Sequence, residues 1–451
     1  MITRDELDAQ VKAMQISRAN VERDYVFGWL IGGLYAEDVM RGALTLKGGN
    51  ALRKGYLPAS RFSDDLDFSC ASELDGDRLL GAFNDSCRYA QTRSGVNFDI
   101  SRNRVVDHHE VERGKNVYKL ALYFKDFAGD ARPVDIKVRV DVTEFDRLHL
   151  PIQSRNLIHQ YSDSSEASVP IQVVALEEAL ADKLRCLLQR RYAYDLFDLV
   201  YAAFLSGELA IDRSALMRTF LAKTIFAPDP QAAKQLLLTA PWEGLRAFWG
   251  KVVTPAVSRF GFDEALASLR TGLEELFAGL GGRPRAGGTY FPEPVRSQIF
   301  HAGAQQRLMR MRYQGSSRII EPYALKFMRR QDGLAREYLW AFDRTGGRSG
   351  PGLKSFVASD LAAIEVLEAE FAPRYPVELV KGVAGAGTFG GRATAVGVNR
   401  GSRSSGTRVR AHTVVCPYCS RRFDRTTPDL SLRAHKDGYG NNCYGRRGYR
   451  A

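Results

Sequence analysis

The sequence predicts an α+β protein: a mixed sheet, then a helical half, then a small β-barrel and a short Cys/His-bearing tail. Three observations carry this. Segments of period-2 alternation give way, from Ala175 to about Ala278, to apolar residues at helical spacing. Two Gly/Pro-rich stretches, Gly281–Pro294 and Gly382 to about Arg410, interrupt every periodicity. Three of the six cysteines cluster at the end of the chain.

In order, Asp5–Ala36 reads as helix, and Ala43–Leu46 is a short apolar run leading into Lys47-Gly48-Gly49-Asn50. Ala51–Tyr56 reads as the first turns of a helix, Asp65–Cys70 as a strand and Leu79–Ala90 as a helix. Val96–Ser101, Val117–Lys125 and Val134–Val142 read as further strands. His108-His109 lies in a polar stretch, expected to be a loop rather than a ligand pair. Helices fill the rest of the first unit, residues 1–280. A linker (281–295), a β-rich unit (296–380), a flexible basic linker with eight glycines in 382–410 (381–411) and a terminal module (412–451) follow.

The chain has 451 residues, 26% of them charged, and a formal net charge of +12. That charge is unevenly placed. Residues 296–451 hold 27 Lys+Arg against 12 Asp+Glu, whereas residues 1–295 hold 37 against 40. A basic back half on a near-neutral front half points to phosphate-bearing partners. No run of 18 uncharged apolar residues exists, so no membrane span is expected. The N-terminus alternates charged and apolar residues, unlike a signal peptide. Few cysteines in a long chain suggest a reducing cytoplasm, and metal rather than disulfides.

The chemistry is expected around Arg61-Phe62-Ser63-Asp64-Asp65-Leu66-Asp67-Phe68. On a strand, Asp65 and Asp67 share one face while Leu66 and Phe68 point to the other, toward a core. Carboxylates at i and i+2 are suited to sharing Mg²⁺, which binds one or two carboxylates plus substrate phosphates. Upstream, an apolar strand, Gly48-Gly49 and a helix start form a layout in which backbone N–H groups can approach a polyphosphate. Val134–Val142 offers a further carboxylate: Asp141 is the best third ligand, and Asp135, on the same face, is the alternative.

Lys47-Gly48-Gly49-Asn50-Ala51-Leu52 followed by Arg61-Phe62-Ser63-x-Asp65-Leu66-Asp67-Phe68 resembles the first motif of the AbiEii/AbiGii nucleotidyltransferase toxins, members of the DNA polymerase β-like superfamily. The family motif usually has Thr where Asn50 stands. Leu176–Leu184 resembles the family helix that carries an active-site lysine, here Lys183. Arg190–Leu199 resembles a motif ending Arg-Asp-x-x-Asp-Leu, with Tyr194 in place of the Arg and with Asp195 and Asp198 as its acids. The resemblance covers about residues 10–280. It implies a polymerase β-like fold, Mg²⁺ or Mn²⁺ at Asp65, Asp67 and Asp141, and catalytic roles for Lys183 and Asp198. Lys47, Gly48, Gly49, Arg61 and Ser63 would lie at the nucleotide. Asp198 could orient Lys183 or act as a base; the role of Asp195 stays open.

Residues 296–378 resemble a WYL-type domain, a small Sm/SH3-like barrel. Its strands are expected at Met309–Tyr313, Arg318–Pro322, Glu337–Phe342, Lys354–Val357 and Ile364–Pro373. In the tail, Cys416-x2-Cys419, then His435 after 15 residues and Cys443 after 7 more, supply donors for a structural tetrahedral Zn²⁺. His412 is a rival ligand. Arg421, Arg422, Arg425, Arg433, Lys436, Arg446 and Arg447 around these donors favour phosphate contact. The expectation is a metal-dependent transferase of NMP from NTP to an acceptor, RNA and specifically tRNA, in a bacterial abortive-infection (phage-defence) or toxin–antitoxin setting with an antitoxin protein partner. The alternatives are a catalytically inactive nucleic-acid-binding regulator, or nucleotidylation of a protein.

Overall fold

The computed structural model describes residues 2–36, 42–112, 115–124, 136–283, 288–329, 334–379, 412–416, 421–425, 429–436, 442–443 and 449–450. Helix α1 (Arg4–Met14) starts at Thr3, whose hydroxyl accepts from the Glu6 amide at 3.1 Å. Such caps satisfy a helix's first, otherwise orphaned, N–H groups. Helix α2 (Arg18–Ala36) is apolar around most of its circumference and is buried along nearly its whole length.

A seven-stranded mixed sheet follows. Its strands are β1 (Leu44–Lys47), β2 (Asp65–Cys70), β3 (Arg104–Glu112), β4 (Lys115–Phe124), β5 (Ile136–Glu144), β6 (Gln153–Asn156) and β7 (Pro170–Val173). Their spatial order is β3-β4-β5-β2-β1-β7-β6, with β2–β5 and β1–β7 parallel. Helices α3 (Gly48–Gly55), α4 (Gly76–Ser94) and α5 (Ser164–Ala167) lie in its connections. Leu46, Leu66, Phe68, Leu120, Leu122, Val138, Val140 and Val142 are buried on one face, where Phe68 meets Phe83 of α4 edge-to-face at 5.9 Å. Burying each such side chain contributes about 1.5–3 kcal/mol. A one-residue slip of β2 would drive Asp65 and Asp67 into this core, so the apolar face sets the register that aims the acids outward.

Two expectations are corrected here. Val96–Ser101 is not a strand: it contributes a single bridge, Phe98 to Phe124, and leads into a 3-10 turn at Ile100–Arg102. The strand is instead β3, which includes His108, expected in a loop. Pairing with β4 outweighs the polar composition there, and the His108 ring stacks on Tyr118 at 4.2 Å. β5, read in the sequence as a strand offering a carboxylate, is a central strand between β4 and β2. Asp135 lies outside the described residues.

The helical half comprises α6 (Leu176–Gln189), α7 (Ala193–Val200), α8 (Arg213–Ala222), α9 (Pro230–Thr239), α10 (Arg246–Trp249) and α11 (Phe262–Phe277). The α6 stripe of Leu176, Leu180, Leu184 and Leu187 is buried as its spacing predicts. Asp212 and Asp229 cap α8 and α9, the latter with Pro230 in its first turn.

Helix α12 (Glu293–Ala304) precedes a second sheet of β8 (Arg307–Tyr313), β9 (Ser316–Arg329), β10 (Ala335–Asp343), β11 (Gly352–Val357) and β12 (Leu361–Glu370), in the order β11-β10-β9-β8-β12. This unit has its own apolar cluster, including Phe291, Ile299, Phe300, Met309, Ile320, Leu339 and Phe356. The expected barrel does not close among the described residues: β11 and β12 are unpaired edges. Ile299 and Phe300 of α12 already cover the apolar face that closure would bury. Pro322, which has no N–H to give the ladder, sits at a register shift opposite Ala341. In the tail, His412–Val415 pairs with Arg422–Arg425 and with Tyr449–Arg450, and His435–Lys436 pairs with Asn442–Cys443.

Candidate active site

The turn from β1 into α3 is possible only because of its glycines. Gly48 has φ +71°, the left-handed region, and a Cβ there would stand 2.2 Å from Asp67 Oδ2. A Cβ on Gly49 would stand 2.8 Å from Arg61 Nη2 and 2.9 Å from Ser63 Oγ. Four sequence-predicted nucleotide residues, Gly48, Gly49, Arg61 and Ser63, therefore meet Asp67 at the start of α3. That helix end carries the favourable end of the dipole for an anion. Asn50 donates its side-chain amide to the Asp65 carbonyl at 2.5 Å, and Ser63 donates to Asp65 Oδ1 at 3.1 Å.

Strand register brings the acids together. Lys47 pairs with Asp67, Asp67 with Asp141, and Asp65 with Arg139. Burial, with the neighbouring Asp65 and Asp141 adding to it, pushes the Asp67 carboxyl up to about 7 against the pull of Lys47 and Lys183. A carboxyl with that pKa marks a crowded anionic site. The trio does not converge tightly: among the described residues, the one group of three potential ligands with all donor atoms within 4.8 Å is in the tail. Lys47 is committed to Asp146 at 2.6 Å and donates to Thr143 Oγ1 at 3.2 Å.

Lys183 is buried, with its Nζ 3.0 Å from Asp195 Oδ1 and 2.7 Å from Asp198 Oδ2. Despite burial, these carboxylates hold its ammonium well above the usual lysine range. Asp198 also accepts a two-pronged bond from Arg61, Nε and Nη2 each at 2.8 Å, and Asp195 accepts from Arg190 Nε at 2.9 Å. This fork geometry fixes orientation as well as charge. Asp198 thus has the contacts of an orienting group. Asp195, left open by the sequence, is held far below the usual carboxylate range by Arg190 and Lys183, against its burial. Tyr194, where the family has Arg, lies under the Arg61 guanidinium at 4.8 Å.

Sequence reasoning missed Asp146, Arg139 and Arg190 as members of this network. Arg190 alone had a local signal, standing at the head of the motif that contains Asp195. It also missed what holds the α6–α7 connection. Arg191 donates twice to Glu293 of α12 (2.6 and 2.8 Å), Tyr192 donates to the Glu378 carbonyl at 3.1 Å, and Arg296 bonds both Glu337 and the Leu188 carbonyl. The C-terminal unit thus grips the segment between Lys183 and Asp195.

In the tail, Cys416, His435 and Cys443 form the convergent group, with the two sulfurs 3.5 Å apart. His435 Nδ1 donates to the Arg433 carbonyl at 2.8 Å. Cys419 lies outside the described residues.

A family model described as "Nucleotidyl transferase AbiEii toxin, Type IV TA system" matches residues 33–314. Among solved structures, the chain is similar to MenT4, a nucleotidyltransferase toxin from Mycobacterium tuberculosis H37Rv. The identity is 20% and the TM-score 0.40, over 62% of this chain and 90% of that one. A putative nucleotidyltransferase from H. pylori is similar at 16% identity and TM-score 0.36, over 58% and 96%. No curated protein matches the chain significantly.

Proposed function

Because the chain belongs to the AbiEii family of nucleotidyl transferase toxins of Type IV toxin–antitoxin systems, we propose that it transfers an NMP from an NTP to a hydroxyl of an RNA acceptor, tRNA being the class expected. The register that sets Asp67 beside Asp141 and Lys47, with Asp67 packed against the Gly48-Gly49 helix start, is the observation that carries this reading. Hard oxygen donors of this kind suit Mg²⁺ or Mn²⁺. When bound, the metal supplies Lewis-acid polarisation and neutralises phosphate charge.

The chain's own residues do the rest. The start of α3, with Ser63, receives the triphosphate, and Lys183, locked by Asp198 and Asp195, presents a fixed ammonium to it. Arg61 holds Asp198 and thereby the lysine. The acceptor oxygen forms a bond to the α-phosphorus, the bond from that phosphorus to the bridging oxygen breaks, and pyrophosphate leaves with the electron pair. The acceptor proton passes to one of the three carboxylates. Holding reactants in line in this way is the main contribution a protein makes to phosphoryl-type transfer.

Residues 1–280 are assigned catalysis, and residues 296–380 a WYL-like regulatory role that fits their grip on the α6–α7 connection. Residues 412–451 are assigned a structural Zn²⁺ held by Cys416, Cys419, His435 and Cys443. An antitoxin protein is the regulatory partner, and the cytoplasm, where NTP and RNA are found, is the site of action. No described helix is long and apolar enough to cross a membrane. The test is incubation of the purified protein with each labelled NTP, Mg²⁺ and total cellular RNA. Label should enter a discrete RNA species with one preferred NTP. No label in RNA with any NTP, in a protein that binds NTP, would overturn the acceptor assignment.

A further inference from the structure

The face that carries the three aspartates continues across β4 to β3, and its chemistry changes along the way. One register row runs from Asp65 through Arg139 and Ala121 to Arg104. The next row along β5 pairs Lys137 with Tyr123. Arg104 is exposed, Lys137 and Arg139 are half-exposed, and all three share the side of the sheet occupied by Asp65, Asp67 and Asp141. Arg102, also exposed, lies over the Tyr123 ring at 4.4 Å, with Arg104 over the same ring at 5.5 Å. Ala121, between Arg104 and Arg139 in that row, is buried.

Like charges gathered on a sheet face repel one another, and burial together with Arg139 and Arg104 lowers the Lys137 ammonium below the usual lysine range. No ion pair to a described carboxylate is formed by Arg104 or Lys137. The arrangement is also directional. Same-side residues on a strand are about 6.6 Å apart, so Lys137 and Arg139 form a short cationic track that ends at Asp141, with Arg139 3.9 Å from Asp65. A surface in this position suits a chain of regularly spaced anions whose end enters the site.

We propose that Arg102, Arg104, Lys137 and Arg139, with Tyr123 beneath, bind the sugar-phosphate backbone of a single-stranded nucleic-acid end and lead its terminal hydroxyl to Asp65, Asp67 and Asp141. The proposal rests on the nucleotidyl-transfer reading for its direction, but the binding surface is testable without turnover. It places the acceptor on the catalytic sheet rather than on the basic tail.

The full-length Arg104→Ala/Lys137→Ala double variant tests it. Arg139 is left alone because it stands next to Asp65. Binding of fluorescent single-stranded RNA and DNA oligonucleotides of one sequence is titrated without NTP at several salt concentrations. A double variant on α4, Arg88→Ala/Arg93→Ala, matches the charge loss. Losing two phosphate contacts should flatten the log–log salt dependence by about 1.4, at ~0.7 per contact for single strands. Binding should weaken at least fivefold, while affinity for a fluorescent NTP analogue stays unchanged and the α4 control behaves like the unaltered protein. A preference between RNA and DNA identifies which strand supplies the backbone.

An unchanged slope overturns the proposal, as does an equal loss in the α4 control. It also fails if polyglutamate, and neither oligonucleotide, binds in a manner dependent on Arg104 and Lys137, since the face then serves an acidic protein. The two readings fail separately. Loss of oligonucleotide binding in a protein that never labels RNA removes the acceptor assignment alone. Normal RNA labelling with an unchanged salt slope removes this surface alone.

Discussion

Replacing Asp67 with Asn should make the metal-free protein more stable while destroying its activity. In the folded protein this carboxyl is pushed from 3.8 up to about 7. The unfolded chain therefore releases the proton near pH 4, whereas the folded chain keeps it until near pH 7. Between those values stability falls as pH rises, and above pH 7 the whole cost is present. At about 1.4 kcal/mol per pH unit the gap amounts to ~4 kcal/mol, and solvent access to this half-buried group trims it to about 2–4 kcal/mol. Asn carries no charge, so it avoids that cost at pH 8 and gains nothing below pH 4. On the proposed metal assignment Mg²⁺ should reverse the order, by binding the native carboxylates and stabilising the folded state in proportion to its occupancy. Thermal or urea unfolding at pH 5 and pH 8, with EDTA and with Mg²⁺, reads all four conditions. An Asp67→Asn protein less stable than its parent at pH 8 in EDTA would refute the crowded-carboxylate argument. Equal Mg²⁺ stabilisation of both proteins would refute the metal assignment.

Gly48→Ala should cost about 1–2 kcal/mol for its left-handed backbone alone, and the added Cβ must displace the Asp67 carboxylate; a variant with undiminished turnover would show that this close approach is irrelevant to the chemistry. Lys183→Ala should cost only about 1–3 kcal/mol of stability, because Asp198 keeps Arg61 and Asp195 keeps Arg190, while NTP affinity and turnover fall by at least tenfold; a sharp fall in melting temperature with unchanged NTP affinity would make the lysine structural. The tail should carry one Zn²⁺ per chain, and Cys416→Ser or Cys443→Ser should release it; metal analysis finding less than about half an equivalent would count against the site.

Much of the site was legible because strand alternation and sequence spacing are local. Leu66 and Phe68 identify the buried face of β2, and Asp65 and Asp67 then have one direction left. The same argument reads Lys137, Arg139 and Asp141 from Val138 and Val140. It cannot say which strands lie side by side, so the pairing of Asp67 with Asp141 and the central place of β5 had to come from the sheet itself. Val96–Ser101 failed because its apolar residues pack as a loop and a 3-10 turn, while polar β3 is held by hydrogen bonds to β4. Arg191, Arg296 and Glu293 are invisible for another reason. Their importance lies in contacts more than 100 positions apart, and no periodicity encodes those.

The charges around Lys183 explain why so many ionised groups are tolerated inside the fold. Lys183, Arg61 and Arg190 are set against Asp195 and Asp198, so three cations meet two carboxylates. Each carboxylate is shared by two cations, and that sharing offsets desolvation which a simple buried pair often fails to recover. One positive charge is left over, beside three aspartates that are not balanced by Lys47, because Lys47 is already paired with Asp146. With Arg139 standing 3.9 Å from Asp65 counted as well, the site is still short of about one positive charge before any substrate arrives when all three aspartates are ionised, a deficit that a divalent ion would fill. Adding the triphosphate alone would deepen the deficit, so nucleotide and metal are expected to enter together. Lys183 cannot swing out to meet them without leaving both acids buried with one partner each. Its role is to be fixed, and the C-terminal unit that grips Leu188, Arg191 and Tyr192 acts on the backbone that fixes it.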